Sequence, residues 1–163
     1  MEKRKRGKSL LSLSTILASF FGAAMIAGAF AYFNYKFSEY KFINFKQWTF
    51  YEKSDLFSPK KDQYIVVLYS SKDKNTMQLL ADVNLTLPIL AFDYYNKVRE
   101  NSQNTTFLRS GTNTSLKFLQ RFNIYNSPSI FLLKRQKGSV YKQDSMILKL
   151  DNLEDLVRVS QDL

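Results

Sequence analysis

An uncharged run near the N-terminus constrains this chain more than any other feature. From Leu10 to Phe33 there are 24 consecutive residues without a charged side chain. At about 1.5 Å of rise per residue, a helix of that length crosses a hydrocarbon core of roughly 30 Å. The sequence therefore predicts a transmembrane helix over residues 10–33, with Leu10 and Phe33 marking the ends of the membrane anchor.

Basic residues precede this run and set its predicted orientation. Residues 1–9 carry five Lys or Arg against the single acid Glu2. Because cytoplasmic flanks are enriched in Lys and Arg, we expect a single pass through the inner membrane with a cytoplasmic N-terminal arm and a periplasmic C-terminal domain. A cleaved signal peptide is the alternative, since AGA and AFA triplets lie within residues 27–31, but its apolar core is usually only about 7–15 residues long.

Small residues recur at every fourth position of the predicted membrane helix. One row contains Ala23, Ala27 and Ala31, and a second contains Ala24 and Gly28. Small residues let helices approach closely in a bilayer, so the pattern allows self-association or contact with another membrane subunit. Ala and Gly are also common in membrane helices generally, which is the simpler explanation.

The amino-acid inventory excludes much chemistry. The chain contains no Cys and no His. Disulfides, Cys or His nucleophiles, a His general base and the usual nitrogen and sulfur zinc sites are therefore excluded. Its five glycines are too scattered to form a phosphate-binding loop. We expect no cofactor, no metal and no enzymatic activity.

Residues 34–62 are rich in aromatic residues and lysine and follow no single period. We interpret them as a juxtamembrane segment with one short strand around Trp48 to Glu52 and a polar loop at 58–62. Basic and aromatic stretches can bind nucleic acid. The predicted topology removes this segment from the cytoplasm, so we expect no nucleic-acid partner and favour lipid headgroups or core packing.

Residues 63–163 are predicted to form one α/β domain. The run YIVVLY at 64–69 has no alternation, as in a central strand covered on both faces. A helix around 77–84, a strand at 89–94, a long polar stretch, a helix beginning near Thr114 and a hairpin over 130–142 follow. Asp151 and Glu154 have the spacing of a capping box and predict a closing helix.

The segment FNIYNSPS at 122–129, with the aliphatic run after it, carries a resemblance to the thioredoxin-like fold superfamily. Members carry an aromatic residue, a small residue and Ile before a cis-proline that precedes a strand. The resemblance covers roughly Tyr64 to Leu163 and implies a mixed sheet flanked by helices, with Pro128 at the cis-proline position. The family's redox cysteines would lie near DKNT at 73–76, where no sulfur is present. The resemblance therefore implies a redox-inactive member, because neither Asp nor Thr forms a mixed disulfide.

The resemblance leaves a surface for binding protein segments. The loop before the proline would offer backbone N–H and C=O groups to an extended partner. The candidate protein-binding residues are Asn126, Ser127 and Pro128 on that loop, with Lys72, Asp73 and Lys74 opposite. A solvated turn is the simpler explanation for the two lysines.

Three Asn-x-Ser/Thr triplets are potential glycosylation sites, at Asn84, Asn104 and Asn113. The first lies in DVNLT, which also resembles the longer acidic sequon of bacterial oligosaccharyltransferases. Asn84 is therefore the candidate glycosylation site.

Two functional hypotheses follow from these features. The first is a non-catalytic scaffold or docking subunit of a larger envelope complex, such as a motor or secretion system. The second is a periplasmic chaperone or carrier that holds extended client segments at the proline loop. An electrostatic tether to anionic lipid or cell-wall polymer is a weaker third hypothesis, based on 19 basic against 13 acidic residues outside residues 1–9.

Overall fold

The computed structural model describes residues 12–39 and 41–161. The chain divides into two units, one ending at Ser38 and the other beginning at Glu39. The predicted cytoplasmic arm of residues 1–9 and the predicted anchor end at Leu10 lie outside the described residues.

The described part of the first unit is one long helix, α1 (Leu13–Glu39). Ser12 immediately precedes this helix, and its Oγ accepts a hydrogen bond from the backbone N–H of Thr15 at 3.2 Å. The 24 residues Leu13–Lys36 have a mean hydropathy of 1.9, so this helix is long and apolar enough to cross a membrane. The helix continues past Phe33, because the end of an uncharged run marks the limit of apolar sequence and not the limit of helical structure.

The second unit is α/β, and its described residues form one sheet. The strands are β1 (Phe42–Asn44), β2 (Phe50–Glu52), β3 (Asp55–Leu56), β4 (Gln63–Tyr69), β5 (Ile89–Asp93), β6 (Thr105–Ser110), β7 (Ser129–Lys137), β8 (Val140–Gln143) and β9 (Leu148–Lys149). The helices are α2 (Lys74–Asp82), α3 (Thr112–Phe122) and α4 (Leu153–Gln161). The strand order is β1-β8-β7-β4-β5-β6-β2-β3, and β9 pairs with the start of β7.

The sheet is mixed, with β4 at its centre. β4 runs parallel to β5 and antiparallel to β7, and β5 runs parallel to β6. All of β4 from Tyr64 to Tyr69 is buried. A continuous apolar run is expected for a strand covered on both faces, and the central strand is thus found where the sequence predicted it.

Helices cover both faces of this sheet and separate the core into two clusters. On one face, Phe118 and Phe122 of α3 pack with the aromatic cluster that includes Phe92 and Phe131. On the other face, Leu80 of α2 and Leu156 of α4 pack with the aliphatic side chains of β4, β5 and β7. The alternation of side chains along each strand assigns successive residues to opposite clusters.

Residues 41–62 belong to the sheet and do not form a separate juxtamembrane segment. They supply β1, β2 and β3. Phe45, Phe50 and Phe57 from this stretch are buried in the aromatic cluster. Their strands have only two or three residues each, too few to show a period. The partners of β1 and β2 are β8 and β6, which lie far along the chain, and β3 pairs with β2.

Three further local predictions differ from the structure. The polar stretch after β5 contains a strand, β6, whose Thr105 and Leu108 are buried. The segment after the hairpin contains the short strand β9, which was not predicted. The capping box of α4 is displaced by one residue, because Asn152 Oδ1 accepts from the Asp155 N–H while Asp155 Oδ2 accepts from the N–H groups of Asp151 and Asn152.

Candidate functional site

A groove of about 250 Å³ lies between the start of α2 and the loop before β7. We call it the proline groove. Its lining residues are Asp73, Asn75, Thr76, Leu79, Pro128, Lys149, Leu150 and Asp151. The groove thus brings together Asp73 and Pro128, two of the residues that the sequence analysis selected.

The loop before Pro128, which we call the proline loop, begins where α3 ends. Asn123 ends that helix in the left-handed conformation, at a φ of 53°. Asn tolerates that region better than most residues, and it lets the chain reverse so that the buried Ile124 enters the core. The loop then exposes Asn126 and Ser127 and leads into a cis peptide bond between Ser127 and Pro128.

Asp73 forms the opposite wall as the N-cap of α2. Its Oδ1 accepts from the backbone N–H groups of Asn75 at 3.1 Å and Thr76 at 3.4 Å. Its Oδ2 accepts from the Thr76 hydroxyl at 2.6 Å. The hydrogen bond from that hydroxyl lowers the pKa of the Asp73 carboxyl below its usual value. An ionised carboxylate at a helix N-terminus is favourable. Asp73 and Thr76, which lie near the position where the family's redox cysteines would be, therefore stabilise α2.

The remaining wall comes from β9 and the two residues after it. Ser129 pairs with Lys149, and the Leu150 N–H donates to the Pro128 carbonyl at 3.1 Å. Lys149 Nζ lies 2.6 Å from an Asp151 carboxylate oxygen, and that hydrogen bond raises the pKa of Lys149. The chain itself therefore occupies the β7 edge from Pro128 onward, directly after the loop at which an extended partner was expected to bind.

Ser127 lies immediately before this occupied edge. Its side chain is exposed, and no residue in the described ranges hydrogen-bonds to its backbone N–H or C=O. The carbonyl of the neighbouring Asn126 accepts the Ser129 hydroxyl at 2.5 Å. The loop thus offers a short backbone segment, and not a full strand edge, to an extended partner.

The two lysines are not lining residues of the proline groove. Lys72 Nζ lies 4.4 Å from the centre of the Tyr95 ring, in cation–π contact. Lys74 is exposed at the first residue of α2.

Three further lining residues were not predicted from the sequence as site residues: Thr76, Lys149 and Asp151. The spacing of Asp73 and Thr76 is typical of a helix N-cap and was a usable signal. No local pattern indicated Lys149 and Asp151, since they reach the groove only through the pairing of β9 with β7.

The three Asn-x-Ser/Thr sites differ in their surroundings. Asn84 is exposed in the loop between α2 and β5. Asn104 is half-buried, and its Nδ2 donates to the Leu85 and Leu87 carbonyls at 2.7 and 2.9 Å. Asn113 is exposed but lies in the first turn of α3. Among these three residues, Asn84 is the one whose side-chain amide lies on an exposed loop outside a helix.

No protein-family model matches this chain, and no curated protein matches it significantly.

Proposed function

We propose that this chain is a non-catalytic, membrane-anchored docking or scaffold subunit of a larger envelope complex. In this proposal α1 spans the inner membrane, the basic arm of residues 1–9 lies in the cytoplasm, and the α/β unit lies in the periplasm. The proline groove and the exposed Ser127 beside it bind one partner segment.

The order of elements supports a thioredoxin-like assignment for the α/β unit. From β4 to α4 the chain runs strand, helix, strand, helix, proline, strand, hairpin partner, helix, with the addition of β6 and β9. The parallel β4–β5 pair and the antiparallel β7–β8 hairpin lie in one sheet. The resemblance inferred from sequence implies this arrangement of elements.

The chemistry of the groove supports a non-catalytic role. Asp73 and Thr76 stand near the position where the family places its redox pair, and they are hydrogen-bonded to each other and to the helix N-terminus. Lys149 and Asp151 neutralise each other. Each ionisable group that lines the groove therefore has a hydrogen-bond or ion-pair partner. A general base, by contrast, needs a lone pair that is free to accept a proton.

The single observation that favours docking is the short free backbone at Ser127. A chaperone that holds many extended clients needs several consecutive unpaired backbone groups, because strand addition draws its affinity from repeated main-chain hydrogen bonds. Here β9 occupies the β7 edge from Pro128 onward. A partner with matching side chains is expected to bind at such a restricted site, and unrelated clients are not.

The chaperone hypothesis retains one supporting observation. Tyr125 is 85% exposed on the proline loop, two residues before Ser127. An exposed aromatic ring can contact many apolar client segments with little specificity. The two hypotheses therefore predict different sets of bound proteins.

Crosslinking followed by affinity purification from membranes separates the two hypotheses. Docking predicts one discrete complex in which the partner is stoichiometric with this chain. The chaperone hypothesis predicts many substoichiometric clients. A detergent-solubilised chain that migrates alone and captures neither would refute both.

Protease accessibility tests the proposed orientation. Added protease should digest the α/β unit in spheroplasts but not in intact cells, because the outer membrane excludes it. Protection in spheroplasts, with digestion only after lysis, would place the unit in the cytoplasm and refute the proposal.

A further inference from the structure

A second cavity, of about 140 Å³, lies between the sheet and α3. It shares no lining residue with the proline groove. It is located at the carboxyl ends of the parallel strands β4, β5 and β6, where Leu68, Phe92 and Leu108 contribute to its wall. Crevices outside the carboxyl ends of parallel strands are common ligand sites in α/β proteins.

The inner wall of this cavity is apolar. Phe92 stacks on Phe118 with 4.6 Å between ring centres, and Phe50 contacts Phe92 edge-on at 5.1 Å. These three rings and the side chains of Leu68 and Leu108 are all buried. A water molecule needs two to four polar partners, which this wall does not supply, whereas an apolar group fits it.

The volume restricts the size of any ligand. An apolar cavity of roughly 150 Å³ accepts one benzene-sized molecule. Sites for larger organic ligands typically measure about 300–1,000 Å³. The cavity of about 140 Å³ is therefore matched to one ring or one short branched alkyl group.

The polar residues of the lining provide hydrogen-bond donors. Asn96 Oδ1 accepts from the Ser110 N–H at 3.1 Å, and the Asn96 amide nitrogen has no partner within the described part of the chain. The Ser110 and Ser115 hydroxyls share one hydrogen bond of 2.7 Å, so the accepting hydroxyl keeps a proton to donate. These groups favour a ligand that carries a hydrogen-bond acceptor.

The one carboxylate in the lining, Asp93, does not create a cation site. It is 5% exposed and accepts from the backbone N–H groups of Ser71, Tyr95 and Lys97 at 2.8, 3.1 and 3.0 Å. Those three donors already compensate its charge. An amine at this position would compete with hydrogen bonds that hold the loop after β5.

We propose that this cavity binds a small organic molecule with a single-ring or branched-alkyl body and one acceptor group such as an amide or carboxylate. The body packs against the wall that Phe50, Phe92 and Phe118 form together, and the acceptor group meets Asn96 and the serine hydroxyls. This site is independent of partner docking at the proline groove, and each can fail without the other.

Methyl-detected NMR of the full chain in lipid nanodiscs tests the site directly. Benzamide should shift the Leu68 and Leu108 methyl resonances saturably, with an affinity in the millimolar range typical of so small a ligand. Leu80 and Leu156, in the other core cluster, should not shift. Benzylamine, with the same ring and a cationic head, should bind at least tenfold more weakly. Absence of saturation by benzamide, equal binding of benzylamine, or equal shifts in both core clusters would overturn the proposal.

A matched pair of variants on α3 tests the location. Ser115→Leu fills the cavity and should weaken benzamide binding at least tenfold, whereas Gln120→Leu, at an exposed position outside the lining, should leave it unchanged. Equal binding by both variants would overturn the proposal. If Ser115→Leu does not fold, Leu119→Ala replaces it: the enlarged cavity should then bind naphthamide, which the wild-type chain excludes, and failure to bind it would equally count against the site.

Discussion

Asp73 shows how a single residue at the expected redox position stabilises structure. Replacing it with Ala removes an acceptor for two helix N–H groups and for the Thr76 hydroxyl. Loss of an N-cap of this kind costs about 1 kcal/mol. We expect the Asp73→Ala chain to unfold at lower denaturant concentration, followed by the fluorescence of the single tryptophan, Trp48. Asp82→Ala is the control: Asp82 lies at the C-terminal end of α2, where a negative charge is unfavourable, so stability should stay equal or rise.

The stability difference between wild type and Asp73→Ala should depend on pH, because the pKa of Asp73 is lowered in the folded state. The folded state binds the Asp73 proton more weakly than the unfolded chain does. In the unfolded chain the pKa of this carboxyl is 3.8. The contribution of the carboxylate is therefore present above pH 3.8 and is lost as the pH falls through the lower, folded-state pKa. A difference between wild type and Asp73→Ala that grew on acidification would contradict this account.

Tyr141 provides a residue-scale test at alkaline pH. Its side chain is fully buried, and its hydroxyl donates to the Lys61 carbonyl at 2.5 Å. Tyr141→Phe should cost about 1 kcal/mol of unfolding free energy at neutral pH, while Tyr125→Phe, at an exposed position, should cost nothing.

Burial raises the pKa of Tyr141 from 10.0 to about 12. Because the folded state retains the phenol proton more tightly than the unfolded chain, the stability from Tyr141 is complete below pH 10 and is lost as the pH rises toward 12. The wild-type advantage over Tyr141→Phe, measured by denaturant titration, should therefore shrink above pH 10. An advantage that grew there would be inconsistent with a buried phenol.

Asn84 is the candidate glycosylation site that the residue-scale geometry favours. Intact-mass measurement of chain purified from its native membrane should show a glycan that Asn84→Gln removes. Asn104→Gln should leave the glycan in place, because the Asn104 amide nitrogen already donates to two carbonyls. A glycan mass that persists in Asn84→Gln would contradict this assignment.

At the scale of elements, the packing of α3 against the sheet depends mainly on Phe118. Phe118 contacts the rings of Phe50, Phe92, Phe122 and Phe131. Phe118→Ala should cost about 3–5 kcal/mol, because the surrounding rings cannot fill the space that it leaves. Phe118→Leu should cost markedly less.

Lys117→Ala is the control on the same helix, where the side chain is exposed. It should change unfolding free energy by no more than about 0.5 kcal/mol. Equal losses in Phe118→Ala and Lys117→Ala would show that helix propensity, and not packing, determines the stability of α3.

The elements that could be predicted from the sequence are those whose own residues carry a hydrophobic pattern. YIVVLY indicated β4 because a strand covered on both faces needs apolar residues at every position. β6 and β9 were missed because their stability comes from tertiary contacts: Thr105 is buried beside β5 and against the Leu80 carbonyl of α2, and β9 has two residues. The polar composition of such segments is typical of loops.

At the scale of the whole molecule, the apolar helix α1 and the mixed α/β sheet were both predictable from local patterns. The extent of the folded unit was not, since β1 and β2 join it through partners about 60 to 100 residues away and β3 joins it through β2. The candidate site was predicted in part. Asp73 and Pro128 meet in the proline groove, while Lys149 and Asp151 enter it only through tertiary pairing.

Position-resolved photocrosslinking in native membranes tests the central claim most directly. The photoreactive residue p-benzoylphenylalanine replaces Ser127 in one chain and Gln136, near the opposite end of β7, in the control. At about 3.3 Å per residue these positions lie well apart along the strand. We predict one adduct of defined mass from position 127 and none from position 136. No adduct from position 127, a ladder of many adducts, or the same adduct from both positions would contradict docking at the proline groove.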